Sequence, residues 1–307
     1  MDYSQLVIVS EIALSLYPQL IKLVPTTLDI QLAIRLITYS ILALSSLPIF
    51  ETLKALKTIP ITSSIVMGLV NILHIASSYY SFKTLSSGFS YSLFYTYPIF
   101  NLLGRSIFNT EKISSINYLY IAIAIFGVYL VYYKQSHQNI SSSENTANTE
   151  NIAKNDNQKE KGLIAGICSA ITESLIYFMV KNDIPTISPF IQIIKTYLLG
   201  GILSLGYLGY KSIQPPETSS ELITDTKLDW NDWISIVLFN SLIGFVGYVL
   251  RFYLIPKTTT LTFNSLIFTG VIFAYIWGYI LGDEPIYLEN ILGSGLILGS
   301  IYMINKN

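Results

Sequence analysis

Residues 162–180 read GLIAGICSAITESLIYFMV, an almost unbroken apolar segment in which Glu173 is the only charged side chain. An α-helix rises 1.5 Å per residue, so the segment is about 28 Å long and matches the hydrocarbon core of a bilayer. Charged residues make up 12% of the chain, whereas soluble domains carry about 25%. The segment is therefore typical of a membrane-spanning helix, and the composition excludes an ordinary soluble enzyme.

Nine further apolar runs of similar length predict more spans. Ten spans of about 20 residues fit within the 307 residues and leave about 100 for loops. Residues 135–161 are rich in Asn, Ser, Thr, Glu and Lys, and they predict a disordered linker between two sets of five spans. The predicted spans are 4–24, 28–50, 61–82, 85–108 and 113–133 in the first half, and 162–180, 188–210, 230–254, 258–281 and 286–304 in the second.

The two halves resemble each other in sequence. Polar residues recur in the same order, and their offset grows because loop 211–229 is longer than its counterpart in the first half. Five spans are an odd number, so the second copy enters the membrane from the opposite side. We therefore expect an all-α membrane protein with two inverted five-helix units, 1–134 and 162–307, an arrangement typical of transporters. Matching positions include Lys22 and Lys181 (offset 159), Arg35 and Lys195 (160), and Glu111 and Glu284 (173).

Segments around the ends of the fourth and ninth spans carry a family resemblance. Residues 94–100 (FYTYPIF) with 108–112 (FNTEK), and 281–285 (LGDEP) with 293–299 (GSGLILG), resemble the EamA-like drug/metabolite transporter superfamily. The resemblance implies gradient-driven export or exchange of a small metabolite, no enzymatic activity and no bound cofactor. Two features depart from it: the ninth span lacks a proline opposite Pro98, and the Gly-Ala-Leu-Asn-Lys stretch of guanosine-sugar transporters is absent.

Ionisable side chains inside the predicted spans are candidates for a substrate or ion site, because charge in hydrocarbon needs a partner or water. Glu173 predicts a cavity carboxylate for a cation or proton; the alternatives are a buried protonated carboxyl or a pair with Lys181. His74 predicts a proton relay or substrate ligand, or else a hydrogen-bonded core histidine. Glu11 is shallower, and its alternative is a carboxyl that reaches toward one membrane face. The expected cavity residues are Glu173, His74, Asn71, Glu11, Tyr95, Tyr177 and Asn264.

Arg35 and Lys195 are candidates for gating or anion capture. Inversion would place them near opposite mouths of the cavity, where arginine pairs bidentately with carboxylate or phosphate and lysine acts as a point charge. The alternative is that both long side chains reach the headgroups as topology anchors. Glu111 and Glu284 are expected to cap helix N-termini. Glycine pairs such as Gly295/Gly299 allow close helix approach and leave a homodimer open.

These features predict a multi-pass transporter whose partners are the lipid bilayer, a small-molecule substrate and a coupling proton or counter-substrate. Two alternatives stay open. One is an organophosphate or nucleotide-sugar exchanger, if Arg35 and Lys195 converge on an anion. The other is a transport-inactive scaffold, if side chains fill the cavity and seal Glu173 from water. The sequence carries no metal-ligand or catalytic motif, and a net charge of −1 gives no field for nucleic acid. We expect both termini on the cytoplasmic side, because the opposite side's basic residues lie mostly in long loops.

Overall fold

The computed structural model describes residues 2–24, 26–48, 50, 53–54, 57, 60–107, 114–142, 149–182, 188–213, 230–258, 263 and 266–306. Within these ranges the chain forms helices joined by short turns, and it forms no strand. Seven helical segments are long and apolar enough to cross a membrane, and two shorter apolar helices lie near the C-terminus. The fold is therefore all-α, as predicted. Seven of the ten expected spans meet this length and composition criterion.

The helices are numbered here in chain order. The first half contains α1 (Tyr3–Leu14), α2 (Tyr17–Leu23), α3 (Leu28–Ser45), α4 (Ile61–Thr84), α5 (Ser87–Phe94), α6 (Tyr97–Ile107) and α7 (Ser115–Ser142). The second half contains α8 (Thr149–Asn182), α9 (Pro189–Ile213), α10 (Trp230–Leu238), α11 (Val246–Leu254), α12 (Phe268–Gly282) and α13 (Leu288–Lys306). A π-helical stretch, Phe239–Phe245, joins α10 to α11.

Three of the predicted spans are interrupted helices. The first span consists of α1 and α2, and the fourth of α5 and α6; in each, a two-residue turn precedes the restart of the helix. Pro18 and Pro98 lie in the first turns of the restarted helices, where proline is tolerated because no intrahelical partner awaits its missing N–H. The eighth span is interrupted instead by the π-helical stretch.

Helices from the two halves interleave instead of forming two separate bundles. α4 of the first half packs along α8 of the second, and α11 of the second half packs along α1 of the first. In addition, α3 packs against α9, α5 against α12, and α7 against α13. The largest cluster of buried hydrophobic side chains consequently includes residues from both halves.

The linker prediction needs a correction. Residues 135–142 continue α7 and residues 149–161 begin α8, so these two stretches are helical; residues 143–148 lie outside the described part of the chain. Adding a residue to an existing helix gains a hydrogen bond without a new nucleus, and Gln, Glu and Lys are good helix formers. The polar composition thus does not prevent extension of the neighbouring spans.

The crossing of α7 and α13 depends on two glycines. A Cβ atom at Gly293 would lie 2.6 Å from the Gly127 carbonyl oxygen, and one at Gly127 would lie 2.5 Å from the Gly293 carbonyl oxygen. Backbone cannot yield as a flexible side chain can, so both positions require glycine at this separation. Gly295 and Gly299, by contrast, have no atom of the structure within 4 Å of such a Cβ.

Candidate functional site

A buried ion cluster lies where helices of the two halves meet. Arg251 of α11 donates from Nη1 to Glu11 Oε1 at 2.8 Å and from Nη2 to Glu173 Oε1 at 2.5 Å. All three side chains are at most 3% exposed. Glu11 lies on α1 of the first half, whereas Glu173 and Arg251 lie on α8 and α11 of the second. One guanidinium therefore links carboxylates of both halves.

The backbone around Arg251 positions its side chain. The π-helical stretch Phe239–Phe245 ends directly before α11 and adds a residue to the helical turn, which rotates α11 relative to α10. The guanidinium also lies over three aromatic rings, and its carbon atom is 5.6 to 5.9 Å from their centroids. Such rings attract a cation and exclude water from the ion pairs. They belong to Phe94, Tyr97 and Phe263.

His74 of α4 extends the cluster. Its Nε2 lies 3.5 Å from Glu173 Oε2, and its Nδ1 lies 3.2 Å from the Ser169 carbonyl oxygen. A carbonyl oxygen only accepts hydrogen bonds, so Nδ1 carries a hydrogen. Nε2 and the carboxylate oxygen would repel each other if both were deprotonated. The contact is therefore compatible with one proton held between His74 and Glu173.

Glu11 is bonded on both oxygens. Oε1 accepts from Arg251, and Oε2 accepts from the Tyr95 hydroxyl at the turn between α5 and α6. The Tyr91 hydroxyl lies a further 3.5 Å from that of Tyr95. The cluster thus draws on α1, α4, α8, α11 and the break in the fourth span. Any movement of one of these segments relative to the others must change it.

A second cationic centre is built from Arg35 of α3. The guanidinium is 3% exposed, and its carbon atom lies 4.7 to 5.4 Å from four tyrosine ring centroids. Nη2 donates to the Tyr197 hydroxyl at 3.1 Å and Nη1 to the Tyr79 hydroxyl at 3.4 Å, while Nε has no acceptor. Among the described residues no carboxylate pairs with it. We call its surroundings the tyrosine cage, which consists of Tyr17, Tyr39, Tyr79, Tyr197 and Tyr248.

A small cavity lies between the two arginines. Arg35, Arg251, His74 and Ser78 are among its lining residues, and its volume is about 20 Å³. This is space for about one water molecule. The sequence predicts a substrate cavity between the halves; in this conformation the space beside the charged side chains admits about one water molecule.

The structure brings together four of the seven predicted cavity residues: Glu11, Glu173, His74 and Tyr95. Two alternatives for the carboxylates are wrong. Glu11 is fully buried and does not reach toward a membrane face. Glu173 pairs with Arg251 and not with Lys181, whose Nζ donates to the carbonyl oxygens of Ile255 and Thr258.

The other three predicted residues lie elsewhere. Asn71 donates from Nδ2 to the Thr196 carbonyl oxygen at 3.2 Å and fastens α4 to α9. Tyr177 is buried, with its ring against Tyr97, Phe178 and Phe263. Asn264 lies outside the described residues.

Arg35 and Lys195 are both buried, at 3% and 5% exposure, so the interpretation of either as a headgroup anchor is wrong. Arg35 lines the cavity, whereas Lys195 does not, and the two side chains do not converge there. Sequence reasoning missed Arg251, because a charge three residues before the end of the predicted span 230–254 suggests the membrane boundary. Its position between Leu250 and Phe252, inside an apolar run, was the signal available.

A partly buried ion pair joins the ends of the first and ninth spans. Glu284, directly after α12, pairs with Lys22 of α2 and accepts from Gln19 Nε2 at 2.9 Å. It also accepts from the backbone N–H of Ser87 at 2.7 Å. Glu284 therefore does cap a helix N-terminus, but the helix is α5 of the first half and not its own neighbour α13. The matching Glu111 lies outside the described residues.

Comparison with known proteins agrees with this architecture. Residues 160–306 match the sequence model of the EamA-like transporter family. Comparison with curated proteins gives no match. A protein crystal structure superposes with a TM-score of 0.56 at 12% identity, covering 97% of this chain and 93% of that one, which shows similarity of fold alone. The predicted resemblance is thus confirmed over residues 160–306, which match the EamA-like transporter family, and the long apolar helices indicate a multi-pass membrane protein.

Proposed function

We propose that the protein is a secondary active transporter that moves a small metabolite by alternating access and carries a proton on the His74–Glu173 pair. One observation carries this proposal: the buried Arg251, which lines the cavity, joins Glu11 of the first half to Glu173 of the second. Ionisable groups buried in a membrane are costly and are typically part of a substrate or ion pathway. The match of residues 160–306 to the EamA-like transporter family supports transport in general.

The proposed architecture is ten spans in two inverted five-helix units. Helix contacts between the halves support it, because the proposed repeat maps each of the five pairings described above onto another of them or onto itself. The pair α4 and α8 maps onto α11 and α1, and the pairs α3–α9, α5–α12 and α7–α13 map onto themselves. Inverted units can rock about a central site so that it faces each side of the membrane in turn.

The proposed proton step follows from the charges of the cluster. With one proton on the His74–Glu173 pair, two positive charges balance the carboxylates Glu11 and Glu173. Loss of that proton leaves the cluster with one net negative charge; Arg35 also lines the cavity but pairs with neither carboxylate, so Glu173 is left with Arg251 as its one bonded cation. We propose that the pair keeps its proton in this conformation, and that opening hydrates the pair and allows the proton to leave. Proton binding and closure are coupled in this way.

Lys22 and Glu284 fit the role of a lock on one side of the cavity. Their pair joins α2, α5 and the end of α12, and all three segments must separate for access along this path. In the second half, the matching Lys181 donates to two backbone carbonyl oxygens that follow the eighth span. We propose that the two lysines close opposite ends of the pathway.

Proteoliposomes that enclose a pH-sensitive dye test the proposal. We expect the wild type to take up at least one member of a broad metabolite panel and to move protons during that uptake. Glu173→Gln should abolish the proton movement. Glu289→Gln is the matched control, because Glu289 is 43% exposed and pairs with Lys134 away from the cluster. Metabolite uptake that is unaffected by the pH gradient and by Glu173→Gln would contradict proton coupling.

A transport-inactive membrane scaffold with the same fold is the second candidate. The small cavity and the 2% exposure of Glu173 favour it, since a scaffold has no need of a hydrated pathway. The closed state of a transporter shares both features. A protein that moves no member of the panel, and whose cavity never becomes accessible to water-soluble reagents, would be the scaffold.

A further inference from the structure

We propose that Arg35 and the tyrosine cage bind a small organic anion bearing a carboxylate or phosphate group, and that this anion is the transported substrate. The inference rests on the proposed transport function and names the substrate class. Its basis is a buried guanidinium that lines the cavity and has no carboxylate partner among the described residues.

The two arginines of the cavity differ in how their charge is balanced. Arg251 is paired with two carboxylates, Glu11 and Glu173. Within the described part of the chain, the polar and ring partners of Arg35 are neutral tyrosines, which attract a cation but do not cancel its charge. When the His74–Glu173 pair holds its proton, the ion cluster is neutral and Arg35 is the one charge left over. A bound anion would make the whole cavity neutral.

The guanidinium also has free hydrogen-bonding capacity. Arginine carries five N–H groups, and Nη1 and Nη2 of Arg35 each use one to reach a tyrosine hydroxyl. Nε is buried and has no acceptor. Two adjacent N–H groups of a guanidinium match the two oxygens of a carboxylate or phosphate, so a bidentate anion would satisfy the unused donors.

The tyrosine cage by itself would suit a different ligand. Aromatic cages commonly hold organic cations, but here the side chain of Arg35 already occupies that position. A cationic substrate would meet an uncompensated like charge. The rings instead offer apolar walls beside the guanidinium, which suits an anion with an apolar or ring-shaped body.

The volume of the cavity sets the conformation in which the anion binds. About 20 Å³ holds one water and no organic anion. The anion must therefore enter an open conformation and expand the cavity beside Arg35. Proton and anion then bind to the same set of helices, and each is expected to strengthen the binding of the other.

Ligand-dependent thermal unfolding of the full chain in detergent tests the proposal with four probes of similar shape. Benzoate and phenyl phosphate are anions, benzyl alcohol is neutral, and benzylamine is a cation. We expect the two anions to raise the unfolding temperature of the wild type in a saturable manner, and the other two probes to leave it unchanged. Arg35→Gln should abolish the response, and Arg35→Lys should weaken binding about tenfold, because lysine lacks the bidentate fork.

Two controls separate loss of the site from loss of the fold. Lys134→Gln removes a partly exposed cation outside the cavity and should leave the anion response intact. If Arg35→Gln does not fold, Arg35→Lys and the wild type still decide the question by probe charge and affinity. A wild type that responds to no anion, an equal response in Arg35→Gln, or an unchanged affinity in Arg35→Lys would overturn the proposal.

Transport measurements distinguish this inference from the proposed function. Proton-coupled uptake of neutral or cationic metabolites alone would refute the anion site and leave proton-coupled transport standing. Saturable, Arg35-dependent anion binding without any uptake would keep the anion site and refute transport.

Discussion

Arg251→Met is the substitution whose effect on stability follows most directly from the structure. Methionine keeps an apolar stem of similar length against Phe94, Tyr97 and Phe263, but it removes the charge that Glu11 and Glu173 share. Glu11 then lies buried without a cation, and Glu173 retains only its contact with His74. Removing one partner from a buried ion pair costs about 3–5 kcal/mol, and here two charges lose the same partner. We expect a loss in the free energy of unfolding at the upper end of that range.

The triple variant Arg251→Met, Glu11→Gln, Glu173→Gln separates charge from packing. With the carboxylates neutralised, no uncompensated charge is left behind, and replacement of whole buried ion clusters is often neutral or stabilising by about 1–4 kcal/mol. The triple variant should therefore recover most of the stability that Arg251→Met loses. Arg251→Lys should lie between the wild type and Arg251→Met, because it retains the charge but not the two-pronged geometry.

Equilibrium unfolding in mixed detergent micelles, followed by circular dichroism, measures these differences. The reasoning would be refuted if Arg251→Met were as stable as the wild type. It would also be refuted if the triple variant were as unstable as Arg251→Met, since the loss would then come from packing and not from charge.

Three further predictions concern single contacts. Gly293→Ala should destabilise the protein by about 1–3 kcal/mol, because the added methyl group would overpack against the Gly127 carbonyl. Gly295→Ala, two residues along the same helix and facing open space, should be neutral or slightly stabilising. Thermal unfolding of the two variants measures the difference, and equal effects would contradict the α7–α13 contact. Tyr95→Phe removes a hydrogen-bond donor from the buried Glu11 carboxylate and should cost about 1.5–3 kcal/mol in the same micelle assay, and an unchanged stability would exclude that bond. Glu284→Gln weakens the cap on α5 and the pair with Lys22, so amide hydrogen exchange at the beginning of α5 should accelerate. Glu289→Gln should leave this exchange unchanged. Unchanged exchange in both variants would argue against the proposed Lys22–Glu284 lock.

Composition and charge placement were enough to predict the membrane fold and half of the candidate site. A carboxylate or histidine within an apolar run is costly unless it is paired, so Glu11, Glu173 and His74 could be selected without knowledge of the fold. Tyr95 could be selected with Tyr91, which lies one helical turn away on the predicted fourth span. Their roles in binding remain predictions.

The rest of the candidate site depends on contacts that single segments do not encode. The tyrosine cage draws one residue from each of five spans, and the chain contains 23 tyrosines, so no single one stands out. Arg251 is brought to the centre by a π-helical turn that has no apolar periodicity of its own. The helical ends of the predicted linker follow from neighbouring spans, which local composition does not reveal.

Alternating exposure of the cavity is the most direct test of the whole account. Ser78 lines the cavity, so a Ser78→Cys substitution on a Cys168→Ala background places a single thiol there. Proteoliposomes with oriented protein would be treated with a membrane-impermeant thiol reagent from either side. We predict that Ser78→Cys is labelled from both sides. The ratio of labelling from the two sides should shift with pH, and the shift should disappear once Glu173→Gln is added. Labelling from one side only, at every pH, would contradict the account.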